Sequence, residues 1–196
     1  PLSIDGAPYK VSLTCGYVLL PQEFRAGADL VKDATIALKR AKRDHRGQVL
    51  RYSDQMGAEA RSRALLLSEL REAIENRELF LVYQPQLNLV TRSVVGIEAL
   101  LRWRTEDGRF VPPDKFIPVA EHSGLIVALG QWVLMAACAA MRELLDAGVA
   151  PQRIAVNVST VQLQDPGFLE IVCAALASSG LRGDHLELEI TESVAA

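Results

Sequence analysis

From Leu79 onward, short apolar runs rich in β-formers alternate with longer stretches of helical period, and this alternation limits the folds open to the chain. Leu79–Gln86 reads as a strand closed by Pro85 and Asn88, and Val94–Trp103 as a second strand reached through a short hairpin-like connection. Asp107-Gly108 marks a turn. Pro113-Asp114 opens a helix to about His122 that Gly124 stops, and Leu125–Ala147 is an apolar helix ended by Gly148 and Pro151. Ile154–Ser159 is a strand, Asp165-Pro166 starts a helix to Gly180, and Leu186–Thr191 is a last strand. Near-continuous apolar strands separated by helices predict parallel pairing and an α/β fold.

The first part of the chain has a different grammar. Residues 1–52 read strand, helix, strand: Tyr9–Leu20 with Gly16 as a break, a helix over Asp29–Arg43, and a short strand over Gln48–Tyr52. Ser53–Asn76 is a long helix with Ser53 as its cap, and Met56, Ala60, Ala64, Leu67, Leu70 and Ile74 form its apolar stripe. The predicted organisation is therefore residues 1–52, a connecting helix over 53–76, and a second domain over 77–196.

Bulk properties exclude several classes. Net charge is −3, so there is no general basic field for DNA or RNA. Cys15, Cys138 and Cys173 are scattered, lack CxxC spacing and read as small buried apolar residues. His45, His122 and His185 are equally dispersed, which argues against zinc. Unpaired cysteines fit a reducing cytoplasm. The apolar run in Leu125–Leu145 is interrupted by Gly130-Gln131 and reads as a packed core helix. The chain starts Pro1-Leu2-Ser3, without Met, and reads as cut from something longer that could carry a membrane anchor upstream.

Side chains alternate across a strand, so Glu98 and Arg102 share one face of the second strand, Ala155, Asn157 and Ser159 one face of the next, and Glu187, Glu189 and Thr191 one face of the last. If these faces converge inside a barrel, Glu98, Asn157 and Glu189 offer three oxygen ligands near the carboxyl ends of strands, where such barrels place their sites. All-oxygen ligation suits Mg²⁺ or Mn²⁺. Arg102 could hold a phosphate through its planar fork. Plainer readings stand beside these. A Glu or Asn in a strand can be a satisfied rim residue, Arg102 can stack on a neighbour, and Glu187 can face solvent or pair with Arg182.

Five ordered motifs carry a family resemblance: Tyr83-Gln84-Pro85, Glu98-Ala99-Leu100-Leu101-Arg102-Trp103, Phe116-Ile117-Pro118-Val119-Ala120-Glu121, Asn157-Val158-Ser159 and Glu189-Ile190-Thr191-Glu192. Over about residues 64–196 the chain resembles EAL-domain cyclic di-GMP phosphodiesterases. The resemblance implies a TIM-like (β/α) barrel with an antiparallel first strand, and hydrolysis of cyclic di-GMP to linear pGpG by metal-activated water. It matches Glu98, Asn157 and Glu189 to metal ligands, Gln84 and Arg102 to substrate contacts, and Glu192 to a residue that steadies a functional loop. Residues 1–52 more weakly resemble the C-terminal end of a GGDEF diguanylate cyclase domain, through Val11–Tyr17 and Asp33-Ala34 to Gln48, with His45-Arg46-Gly47-Gln48 as a departure.

The same resemblance sets further expectations. The family's paired Asp, catalytic Lys and a further Glu fall beyond Ala196, so the chain is expected to hold the N-terminal half of the barrel. Alone, it is expected to be inactive and prone to self-association through exposed strand edges. The implied partners are cyclic di-GMP and a second copy of the chain. The rival reading is a catalytically inactive receptor for the dinucleotide, or a protein-interaction module.

Overall fold

The computed structural model describes residues 2–4, 7–9, 11–20, 26–149 and 151–190, and the chain divides into two compact units, residues 1–65 and 66–196. In the first unit, β1 (Leu2–Ile4) and β2 (Ala7–Tyr9) pair antiparallel. β3 (Cys15–Tyr17) and β4 (Val49–Arg51) pair parallel and are joined through α1 (Gly27–Asp44). The single strand expected over Tyr9–Leu20 is thus replaced by separate short ones. Gly16 is not a break but the middle of β3. A Cβ there would stand 2.1 Å from the backbone nitrogen of Leu38, so glycine lets α1 lie directly on the strand. Ala37 and Ala41, small residues on the same helix, are fully buried.

Helix α2 (Asp54–Glu75) begins in the first unit and ends in the second. Ser53 caps it as expected, its Oγ accepting from the Met56 backbone N–H at 3.4 Å. The apolar stripe is shifted from the predicted one: Leu70 and Ala73 are fully buried, whereas Ala64 and Ile74 are exposed.

The second unit is built on a five-stranded sheet: β5 (Leu79–Leu87), β6 (Val94–Arg104), β7 (Phe110–Val111), β8 (Ile154–Val158) and β9 (Leu186–Ile190). The main order is β5-β6-β8-β9, with β7 paired to the end of β6. β6, β8 and β9 run parallel, while β5 and β7 are antiparallel to β6. Pro85 lies inside β5 rather than ending it, opposite Ile97. A proline has no N–H for the ladder, and β5 accommodates one because it ends the strand order.

Two apolar clusters lie between the sheet and its helices, α3 (Pro113–Ser123), α4 (Leu125–Asp146) and, after the short α5 (Thr160–Leu163), α6 (Phe168–Ser179). Gly124, at φ 78°, ends α3 and turns the chain into α4. α4 is long and apolar enough to cross a membrane, but Leu134, Ala137, Cys138 and Met141 are at most 1% exposed and pack against Ile97, Ile154 and Val156 of the sheet. In the second cluster Trp103 meets Phe116 edge-on at 5.6 Å and donates its Nε1–H to Glu78 Oε2 at 3.0 Å. Of the cysteines only Cys138 is buried; Cys15 and Cys173 are exposed, contrary to expectation. Both lie on short or amphipathic elements whose alternate face meets solvent.

The sheet is strongly curled. β5 and β9 are separated by three strand spacings, about 14 Å on a flat sheet at ~4.8 Å each. Yet Gln86 Nε2 on β5 lies 3.5 Å from Glu189 Oε1 on β9. Only a concave face brings those side chains together, and it is the face opposite the helices.

Candidate active site on the concave face

The pairing register sets the polar residues in rows. Gln84 on β5 stands opposite Glu98 on β6, Glu98 opposite Ala155 on β8, and Asn157 opposite Glu189 on β9. Residues opposite each other in a ladder share a face, so Gln84, Glu98, Asn157 and Glu189 all point to the concave side, and Arg102 follows by alternation along β6. The intervening residues, Ile97, Ala99, Trp103, Val156 and Val158, are buried on the helix side. Asn157 Nδ2 donates to Glu98 Oε1 at 2.6 Å, bringing two of the expected ligands into direct contact. Glu189 takes its hydrogen bond from Gln86. Thr191 and Glu192 lie outside the described residues.

Arg102 is half-buried, and its Nη1 donates to the Leu101 carbonyl at 2.9 Å. Neither aromatic stacking nor an ion pair occupies it among the described residues, so its other N–H donors remain for an anion. Glu187 pairs with Arg153, not with Arg182, which instead pairs with Asp184. This separates the two carboxylates of β9. Glu187 is neutralised by a cation, while Glu98 and Glu189 are in no ion pair among the described residues.

A cleft of about 380 Å³ opens beside these residues at the carboxyl ends of β6 and β8. Glu98, Arg102, Glu121, Asn157, Ser159 and Gln162 supply its polar lining, and α3 and α4 its apolar wall. Two of these contributions, from Ser159 and Gln162, differ from the sequence expectation. Ser159 is not the last strand residue but the N-cap of the short helix α5 (Thr160–Leu163). Its spacing to Gln162 is a capping-box pattern that could have revealed the helix. Gln86 was missed because its reach to Glu189 depends on sheet curl. Gly96 leaves it room: a Cβ there would be 2.7 Å from Gln86 Oε1.

Comparison with known proteins decides the family, since the EAL domain profile matches residues 67–196. The chain belongs to the EAL-domain family. Its EAL domain therefore coincides closely with the second compact unit. The bifunctional diguanylate cyclase/cyclic di-GMP phosphodiesterase MucR of Pseudomonas aeruginosa is 38% identical over 195 residues, covering 100% of this chain and 28% of MucR. The cyclic di-GMP phosphodiesterase NbdA of the same organism is 35% identical over 192 residues, covering 98% of this chain and 24% of NbdA. Among solved structures, the PaMucR phosphodiesterase in complex with c-di-GMP matches with a TM-score of 0.63 and 45% identity, over 67% of this chain and 53% of that one. The chain spans about a quarter of the length of these curated relatives.

Proposed function

We propose that this chain serves a cyclic di-GMP phosphodiesterase, which hydrolyses the cyclic dinucleotide to linear pGpG in signalling. The observation that carries the reading is the placement of Glu98, Asn157 and Glu189 on one concave face beside a cleft, with Asn157 and Glu189 next to the carboxyl ends of β8 and β9. The names of MucR and NbdA, and the c-di-GMP in the MucR structure, support the substrate.

The donor set fits a hard divalent cation. Two carboxylates and an amide oxygen are available, without thiolate or imidazole, and neither carboxylate is neutralised by Lys or Arg among the described residues. In this reading Glu98, Asn157 and Glu189 hold Mg²⁺ or Mn²⁺, and the ion supplies Lewis-acid polarisation of a phosphoryl oxygen and acidifies water. The remaining work falls to the chain's own groups. Arg102 offers paired N–H donors that match the charge and shape of a phosphate. Gln84, exposed on β5 beside Glu98, offers an amide to the substrate. Glu192, outside the described residues, is assigned by the family resemblance to steadying the functional loop after the next strand.

The curled sheet supports a TIM-like barrel in which β5 is the antiparallel first strand. Residues 1–52 of the first unit are read as the end of a GGDEF-like domain. Their β-α-β arrangement and the alignment of the whole chain with a bifunctional diguanylate cyclase support this. The unpaired cysteines favour a cytoplasmic setting.

The second reading is a receptor that binds the dinucleotide on the same concave face without cleaving it. Incubating the protein, in its full-length context, with cyclic di-GMP and Mg²⁺ separates the two. The phosphodiesterase reading expects pGpG, and its loss in Glu98→Ala. Cyclic di-GMP bound and recovered intact would establish the receptor instead.

A further inference from the structure

Gly130 lies in the interior of α4 with an ordinary helical backbone, where glycine is a poor choice. Relative to alanine it costs about 1 kcal/mol in helix propensity. No turn or positive φ explains it. Its neighbour does. A Cβ at position 130 would stand 1.8 Å from Gln162 Nε2 and 2.6 Å from Gln162 Cδ. The side-chain amide of Gln162, itself 5% exposed, fills the space that the glycine leaves.

The other end of that amide is fixed as well. Gln162 Oε1 accepts from the Ser159 backbone N–H at 3.0 Å, and the Gln162 backbone N–H donates to Ser159 Oγ at 3.4 Å. Ser159 is 7% exposed, and Val158, just before it, is 1% exposed. The chain leaving β8 is therefore held against the backbone of α4 within two residues of Asn157. Asn157 itself is exposed, with one side-chain bond to Glu98. That bond ties it only to another proposed ligand, so its height above the sheet is set by its backbone, through the β8–β9 ladder on one side and the β8–α5 turn on the other.

We propose that Gly130 and Gln162 are positioning residues: together they form a latch that fixes the β8–α5 turn and so holds the Asn157 amide where it can share a cation with Glu98. The inference rests on the metal role proposed above for Glu98 and Asn157. The latch acts through backbone placement and touches neither substrate nor metal. Groups that orient ligands in this way change metal affinity about 10- to 100-fold when removed.

The test is Mn²⁺ binding, read by electron paramagnetic resonance of the free ion, without substrate and in the full-length context. Gly130→Ala and Gln162→Ala should each weaken Mn²⁺ binding at least about tenfold. The double variant should be no weaker than Gln162→Ala alone, because the new methyl then has no amide to displace. Melting temperature should fall for Gly130→Ala in the wild-type background and rise for the same change beside Gln162→Ala, where only helix propensity is left. The crossover also covers the case in which Gly130→Ala alone does not fold. Unchanged Mn²⁺ affinity in Gln162→Ala and in the double variant, with affinity lost in Glu98→Ala, would overturn the latch. Losses that simply add in the double variant would overturn it too. Unchanged affinity in Glu98→Ala would instead remove the metal reading beneath it.

Discussion

On the helix-covered face of the sheet, Ile97, Ala99, Trp103, Ile154, Val156 and Val158 are each at most 7% exposed. On the opposite face of the same strands stand Glu98, Arg102, Asn157 and Glu189, half-buried or exposed and bonded mostly to one another and to backbone. One-residue alternation separates the two sets. The first face is shaped by area removed from water and contact with α4 and α6, and it tolerates little change of volume. The second stabilises little and places charge at a cleft. A strand with both faces apolar would fold at least as well and could hold neither cation nor phosphate.

Variants on the two faces should therefore fail in different ways. Trp103→Ala removes a fully buried ring, its edge contact to Phe116 and its bond to Glu78. Chemical denaturation should show a loss of about 3–5 kcal/mol. A loss below about 1 kcal/mol would mean that the helix-side cluster is not the core. Glu98→Ala should do the reverse. Turnover should drop more than about 100-fold, beyond the effect of outer-shell changes, while the denaturation midpoint stays close to wild type. A large loss of stability would show that the concave face is structural.

Arg102→Ala should have a smaller effect of the same kind. Losing hydrogen bonds to a charged partner costs about 1.5–3 kcal/mol, so substrate KM should rise roughly 10- to 100-fold with little change in melting temperature. An unchanged KM would leave Arg102 as a backbone brace on Leu101. The smallest effect is expected at a site on neither face, the turn between β6 and β7. The Thr105 hydroxyl donates to Asp107, and with the Arg109 backbone N–H it holds that carboxyl below the usual carboxylate range. A depressed folded pKa contributes stability above the unfolded value, near 3.9, that is lost as pH falls through the folded value. Asp107→Asn should therefore lower the melting temperature slightly at pH 7, and the difference should vanish in strong acid. A difference that grows in acid would contradict the assignment.

The sequence carried the helix-side face well because burial leaves a periodic trace. Leu125–Asp146 and the strands at Val94, Ile154 and Leu186 stand within a few residues of where periodicity and punctuation put them. The polar partners were legible as types and faces: Glu98, Arg102, Asn157 and Glu189 do share one side. What escaped depends on three-dimensional context. Pro85 reads as a strand end in sequence, because edge position cannot be seen from one strand alone. The two-residue β7 was too short for any period to show. The stripe of α2 was misplaced because Ala and Leu occur around most of that helix, and only packing selects Leu70 and Ala73. The approach of Gln86 to Glu189, and of Gln162 to Gly130, arises from curl and helix placement.

The central claim is that the concave face holds a divalent cation. Anomalous diffraction from a crystal of the protein grown with Mn²⁺ tests it most directly. The account predicts one strong peak among Glu98, Asn157 and Glu189, with the Asn157–Glu98 hydrogen bond opened to admit the ion. A map in which that bond persists, and Mn²⁺ lies elsewhere or nowhere, would contradict it.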